Sequence, residues 1–327
     1  MELREAWIRI FPTRCRMRRV SFVLLLAGCV GLLASCDLEA WGDSTRYKDD
    51  FHQSYPLKAG GRLSVETFNG SVEVTGWDQE TADISGTKYA STEDGLKALK
   101  VDIVTSGDSV RIRTVRPTDH RGGMGAKYVI KVPRQTSLER IESSNGAIRI
   151  DNIDASARLR TSNGGISVTG LKGTLEAITS NAAVDLRDVQ GPAVVSTSNG
   201  SIQADEVSNG LEATTSNAAI HASLNNIEPK KSLKLTTSNG SVDLALDRLD
   251  GNEVEATTGN ASITLHLPAD VAVRLKAQTS NSSVTSEFDV TAKGTAGKNN
   301  LEGTINGGGP LVTLTTSNGS IRVLKKM

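Results

Sequence analysis

A four-residue phrase, Thr-Ser-Asn-Gly or a near relative, keeps returning along most of this chain. Its asparagines are Asn145, Asn163, Asn181, Asn199, Asn217, Asn239, Asn260, Asn281 and Asn318, spaced 18, 18, 18, 18, 22, 21, 21 and 37 residues apart. An earlier copy stands at Asn69, in Glu66-Thr67-Phe68-Asn69-Gly70. A period near 20 residues marks a small unit that cannot bury its apolar face alone, so stability must come from stacking copies.

Aligning the copies on the asparagine shows what each unit is. Four residues before it come Leu159, Ala177, Val195, Ala213, Leu235, Ala256, Ala277 and Leu314, and two before it a threonine, Thr161 through Thr316. Three after it stand Ile148, Ile166, Val184, Ile202, Ile220, Val242, Ile263, Val284 and Ile321, and five after it Ile150, Val168, Leu186, Ala204, Ala222, Leu244, Leu265 and Val323. Steps of two are the period of a strand with one face buried. The buried parity is even before the asparagine and odd after it, which a strand achieves only by turning a corner. The expected corner is the Asn-Gly or Asn-Ala pair itself, through left-handed backbone angles.

Such units can pair as hairpins or wind as a solenoid. In a hairpin sheet Asn-Gly is the turn; in a solenoid equivalent positions stack ~4.8 Å apart. The outward position five before the asparagine reads Arg158, Glu176, Val194, Glu212, Lys234, Glu255, Lys276. Only in-register stacking sets these opposite charges side by side. Stacking also lets the asparagine side chains hydrogen-bond to one another along the axis. The expected fold is therefore all-β, a single-stranded β-helix with coils of about 18–22 residues and a structural ladder of the nine asparagines. Its core must be thin: from Ser137 onward there is no Trp or Tyr, and Phe288 is the only Phe.

The N-terminus reads as an address. Arg14, Arg16, Arg18 and Arg19 precede an apolar run from Val20 to Ala34, too short for the ~20 residues of a spanning helix, and Leu33-Ala34-Ser35-Cys36 closes it. That ending resembles the bacterial lipoprotein acylation signal. Leu26-Ala27-Gly28-Cys29 fits the same pattern, but cleavage there would leave an apolar stub, so Cys36 is the expected lipidated residue. The expected organisation is 1–36 lipoprotein signal, 37–50 polar tether, 51–134 irregular β cap and 135–327 repeat region. The expected location is the cell envelope, outside the cytoplasm, with the chain held to a membrane by lipid.

In the cap, Leu63, Val65, Thr67, Asn69, Val72 and Val74 keep the frame of one coil, and 91–99 is expected to form a short helix. The Gly-rich stretch 291–310 interrupts the last spacing as a loop or distorted coil, after which Asn318 is expected to close the array and Lys325-Lys326 to guard its end. Leu63 to Trp77, Tyr128 to Pro133, the Ser-Asn-Gly array and the closing Gly307-Gly308-Gly309-Pro310 to Val323 together resemble the bacterial DUF4097 β-strand repeat family, whose members carry an adhesin label. The resemblance implies a β-solenoid over about Phe51 to Val323 and no catalytic residues.

The chemistry the residues offer is sparse. With 37 basic and 37 acidic residues there is no net charge to recruit nucleic acid. All three cysteines lie in the first 36 residues, so the remainder has no disulfide, thiol nucleophile or cysteine metal site. His52, His120, His221 and His266 show no ligand spacing, so no metal and no cofactor are expected; Asp119-His120-Arg121 is the one polar loop with the makings of a small site. The expected role is a non-catalytic adhesin-like, scaffolding or sensing module whose partner is an envelope protein or glycan. The exposed row Ser180, Ser198, Ser216, Ser238 and Ser280 is the candidate contact surface. The alternative is a carbohydrate-active β-helix enzyme, which would need paired carboxylates and aromatic sugar platforms. Asp185, Asp205 and Asp243 fall at scattered registers and read as solvated faces.

Overall fold

The structure is a computed structural model that describes residues 47–119, 122–292 and 297–326. Cys36, His120 and Arg121 lie outside the described residues, as do the signal segment and most of the expected tether. Strand Tyr47–Pro56 shows that the last four tether residues belong to the folded β structure instead.

Among the described residues, twenty-seven strands form two sheets, of 13 and 14 strands, and one short helix, Glu93–Ala98, is capped by Thr92. Each coil contributes one strand to each sheet, and successive coils pair in parallel. Leu159 lies beside Ala177, Ala177 beside Val195 and Val195 beside Ala213 in one sheet; Val168, Leu186, Ala204 and Ala222 line up in the other. Parallel pairing rules out the hairpin sheet, because hairpins make antiparallel neighbours. Eleven coils stack into a solenoid about 50 Å long at the usual strand spacing.

The aligned apolar positions form one continuous buried cluster running from Leu57 to Val323. Val, Ile, Leu and Ala fill the gap between the sheets, and the single ring of the repeat region, Phe288, is buried at one end of it.

Two features depart from a simple spiral. At the C-terminal end the last coil in sequence, Leu311–Thr316 with Ile321–Lys325, is not last in the stack. It lies between the coil Val254–Thr257 with Ile263–Leu267 and the coil Val273–Thr279 with Val284–Ser286. Asn281, not Asn318, therefore ends the array, and Lys325-Lys326 do not guard its edge. The Gly-rich stretch makes this possible. Strand Asn300–Ile305 pairs antiparallel on the outer side of Val273–Thr279, and the chain then crosses to that strand's inner side. Asn306, Gly307 and Gly308 take φ of 48°, 85° and 89° in the crossing. A Cβ on Gly309 would sit 2.2 Å from the Ala272 carbonyl oxygen.

The N-terminal end mirrors this. The first coil, Arg62–Thr67 with Val72–Trp77, is held between Ser109–Val115 with Met124–Pro133 on one side and Ser137–Ser143 with Ile148–Ile153 on the other. Beyond it, Lys100–Ser106 pairs antiparallel with Ser109–Val115, while Tyr47–Pro56 pairs with Thr81–Ala90 and forms the other edge.

Candidate functional site

The repeated phrase builds one corner of the solenoid, and its three residue types do three jobs. Each threonine is buried and bridges two coils. Thr161 Oγ1 donates to the Gly146 carbonyl of the preceding coil and accepts from the Gly164 amide of its own corner, at 3.0 and 3.2 Å. Thr197 does the same with Ala182 and Gly200, at 3.1 and 3.2 Å. Two backbone groups that the corner takes out of the strand ladder are thereby satisfied, which is why the position is Thr rather than Val.

The asparagines are exposed and form a ladder on the outside of the corner. Each side-chain amide donates to the amide oxygen of the coil before it. Asn163 reaches Asn145, Asn181 Asn163, Asn199 Asn181, Asn217 Asn199, Asn239 Asn217 and Asn260 Asn239, at 2.6–2.8 Å. Asn318 then donates to Asn260 and Asn281 to Asn318, both at 2.7 Å, following the spatial and not the sequence order. At the other end Asn145 donates to Asn69, whose own amide reaches the Met124 carbonyl. All nine expected asparagines lie in this one row, and Asn69 is the tenth member.

Apart from Gly70 of the first coil, with φ 123°, the corner does not use positive-φ backbone. None of the ladder asparagines has a positive φ. Glycine follows them for another reason: a Cβ on Gly164, Gly200 or Gly240 would come within 2.0, 1.8 or 1.8 Å of a carbonyl oxygen in the preceding coil. Left-handed residues stack at the opposite corner, seven after the asparagine: Asn152, Gly170, Asp188 and Glu206, with φ of 57°, 66°, 51° and 59°. That turn flips the parity, burying Ile153, Leu171, Val189 and Val207, and it belongs to the short 18-residue coils. The longer coils keep alternating and bury Leu224, Leu246 and Leu267 one position earlier.

Beside the ladder, Ser180, Ser198, Ser216, Ser238 and Ser280 form an exposed row. The backbone carbonyls of Ser180, Ser198, Ser216 and Ser238 face the next coil; that of Ser180 accepts from both Ser198 and Asn199, at 3.1 and 2.9 Å. Of the outward charge row, Arg158 and Glu176 make an ion pair at 3.4 Å, and Glu212, Lys234 and Glu255 are register neighbours. The inserted coil puts Thr313 between Glu255 and Lys276.

On the outer face of the other sheet lies a groove of about 520 Å³. Small side chains, Ser223 and Ala245, make its floor, and Leu324 borders them. Coil lengths of 22 and 21 bring His221 and His266 onto one carboxylate, Asp243, at 3.9 and 3.4 Å. His221 and Asp243 are direct register partners, and His266 is one coil further and two residues along. Sequence spacing missed this cluster because it adds one coil and a strand step, a sum visible only once the register is known. Among the described residues no group of His, Cys, Asp or Glu has the geometry of a metal site.

His52 is exposed on the edge strand Tyr47–Pro56. Its ring nitrogens face Ser85 Oγ at 3.0 Å and Asp83 Oδ1 at 3.1 Å. The order hydroxyl, imidazole, carboxylate has the look of a hydrolytic triad. Ser85, however, lies exposed within strand Thr81–Ala90, which is paired on both sides, so its backbone amides serve the ladder and offer no oxyanion hole. Asp119 is exposed, and its two expected partners lie outside the described residues.

These features define a class: a parallel β-solenoid bonded along one corner by an amide ladder, with its terminal coils tucked inside both ends. The Toastrack DUF4097 family matches residues 56–324, and the chain belongs to that family. No curated protein matches it. Among solved structures it is similar to a "putative adhesin" from Bacteroides fragilis, with 15% identity over 84% of this chain and 97% of that one and a TM-score of 0.29. It is also similar to a "putative cell adhesion protein" from Clostridium sporogenes, with 12% identity over 85% and 100% and a TM-score of 0.22. A "putative lipid binding protein" from Parabacteroides distasonis follows, with 11% identity over 85% and 97% and a TM-score of 0.24. Superpositions that poor carry no argument about what this chain does.

Proposed function

We propose that the chain is a non-catalytic module of the cell envelope, anchored by lipid at Cys36, which holds out a stiff, repetitive surface for adhesion or scaffolding. The observation that carries this reading is the unbroken ladder of amides with its row of exposed serines, repeated coil after coil on one corner. A surface with the same polar groups at every ~4.8 Å suits a partner that is itself repetitive, a glycan or an extended protein strand. The signal-like N-terminus points the same way.

The test has two arms. Metabolic labelling with a fatty acid should mark the wild-type chain in cells and leave Cys36→Ser unlabelled. Crosslinking from intact cells should recover an envelope protein or glycan, and replacing Ser180, Ser198, Ser216 and Ser238 together by glutamate should abolish that recovery. Recovery undiminished by the four glutamates would remove the corner from the reading, and absence of label would remove the anchor.

A further inference from the structure

A solenoid must close its core at both ends, since an open end exposes apolar side chains and unpaired strand edges. At the C-terminal end the outermost strands are only three and two residues long, Val284–Ser286 and Thr291–Ala292, and Phe288 and Ile305 are buried there. The N-terminal end is finished differently. Its two outermost strands, Tyr47–Pro56 and Lys100–Ser106, are ten and seven residues long, and each has a neighbour on one side only. Between them lies a slot of about 770 Å³ whose apolar lining includes Phe51, Tyr55, Leu99, Val101 and Ile103. Phe51, Tyr55, Val101 and Ile103 touch the core cluster yet are only partly buried. On the two edge strands themselves, Tyr47 is 40% and Val104 59% exposed.

The charged part of the same lining is three lysines, Lys88, Lys97 and Lys100, against one acid, Asp102. Asp49 and Glu93 hold Lys88 and Lys97, each at 2.6 Å, whereas Lys100 makes no ion pair among the described residues. An apolar mouth with rings and a cationic rim matches the head-group level of a phospholipid layer, where hydrocarbon lies on one side and phosphate on the other. Tyrosine rings favour that level, and lysine stems reach across it. The covalent chain also fixes which end of the solenoid is nearest the anchor. Eleven residue steps separate Cys36 from Tyr47, a span of no more than about 40 Å, and Tyr47 opens the strand that borders the slot. The opposite end lies about 50 Å further along the stack.

We propose, resting on the lipid anchor at Cys36, that the N-terminal end docks on the phospholipid surface that holds this lipid. Tyr47, Val104 and the mouth of the slot enter the head-group layer, and Lys100 meets a phosphate. The water-exposed apolar surface of this end is thereby covered by lipid, and the repetitive corner runs away from the membrane along the stack.

Asp43–Met327 is one compact unit without cysteine, so it reports this contact with no acyl chain present. It should cosediment with vesicles of phosphatidylcholine and phosphatidylglycerol in equal parts. Val104→Asp and Lys100→Glu should each weaken that binding about fivefold or more, the first by putting a charge into the layer, the second by reversing a cation at an anionic surface. Val104 and Lys100 are both exposed, and unchanged thermal unfolding of the variants separates a lost contact from a lost fold. An environment-sensitive dye on Val104→Cys should shift to the blue when vesicles are added. The same dye on Thr285→Cys, exposed at the opposite end, should not. Absence of cosedimentation, equal shifts of the two dyes, or variants that bind like the wild type overturn the proposal. So does a chain that ignores vesicles and doubles its mass in light scattering, because a second copy then occupies the slot. Absence of a fatty-acid label at Cys36 bears on the anchor alone, since vesicle binding by Asp43–Met327 is measured without it.

Discussion

Thr197 shows at the residue scale why this repeat tolerates so little variation where it looks most ordinary. Its hydroxyl joins the Gly200 amide to the Ala182 carbonyl of the coil below. Thr197→Val keeps the shape and strands both backbone groups, so it should cost about 2 kcal/mol in urea unfolding and speed hydrogen exchange at Gly200. Thr197→Ser should cost less, since the hydroxyl survives. At the N-terminal end the threonine bridge is extended by a phenol: Thr114 Oγ1 contacts both Thr67 Oγ1, at 3.2 Å, and Tyr128 OH, at 2.6 Å. Burial pushes the Tyr128 hydroxyl up to about 12, partly offset by its bond to Thr114. The folded chain thus holds this proton more tightly than the unfolded chain, whose tyrosines release theirs near pH 10. The stabilisation is full below about pH 10 and is lost as pH rises toward 12, a fall of roughly 2–3 kcal/mol. Tyr128→Phe should flatten that part of the stability curve.

Single coils obey a rule that only their stacking order reveals. The residue after the ladder asparagine runs Gly146, Gly164, Ala182, Gly200, Ala218, Gly240, Ala261, Gly319, Ser282 along the axis, so two neighbouring coils never both carry a Cβ there. Read along the chain, Ala261 and Ser282 would be neighbours and break the rule. The inserted coil, bearing Gly319, separates them. A Cβ on Gly319 would lie 1.8 Å from the Ala261 carbonyl oxygen, a backbone atom that cannot swing aside. Gly319→Ala should therefore destabilise the C-terminal end by about 1–3 kcal/mol, whereas Ala218→Gly should change stability by less than about 1 kcal/mol. Thermal unfolding of the two variants checks the contrast.

For the molecule as a whole, the tucked coils turn a stack that could fray into one held at both ends. The coil 311–325 is bonded on both sides in both sheets, so it cannot leave without opening two interfaces. Ending the chain after Ile305 should strip protection from residues 273–305 and leave residues 137–246 nearly as protected as before, because each coil feels only its neighbours. Hydrogen exchange followed by mass spectrometry reads this directly. Uniform loss of protection along the rod would contradict the nearest-neighbour picture.

Much of this molecule could be read from the chain because its physics is local and periodic. Alternation by two, the switch of parity at each asparagine and the missing rings require stacked strands around a thin core, whatever surrounds them. Thr161 to Thr316 and the nine asparagines were legible for the same reason, since every copy repeats the same bond. What the chain could not disclose depends on contacts between residues unrelated by the period. The tucking of Leu311–Thr316 inside Val273–Thr279 follows from a crossing that no spacing encodes. His221 and His266 share Asp243 only because coils of unequal length happen to come into register there. The corner glycines from Gly146 onward, too, have their cause in a carbonyl one coil away and not in their own backbone angles. Periodicity determines the stack, and tertiary packing alone decides the order of its coils and the company its side chains keep.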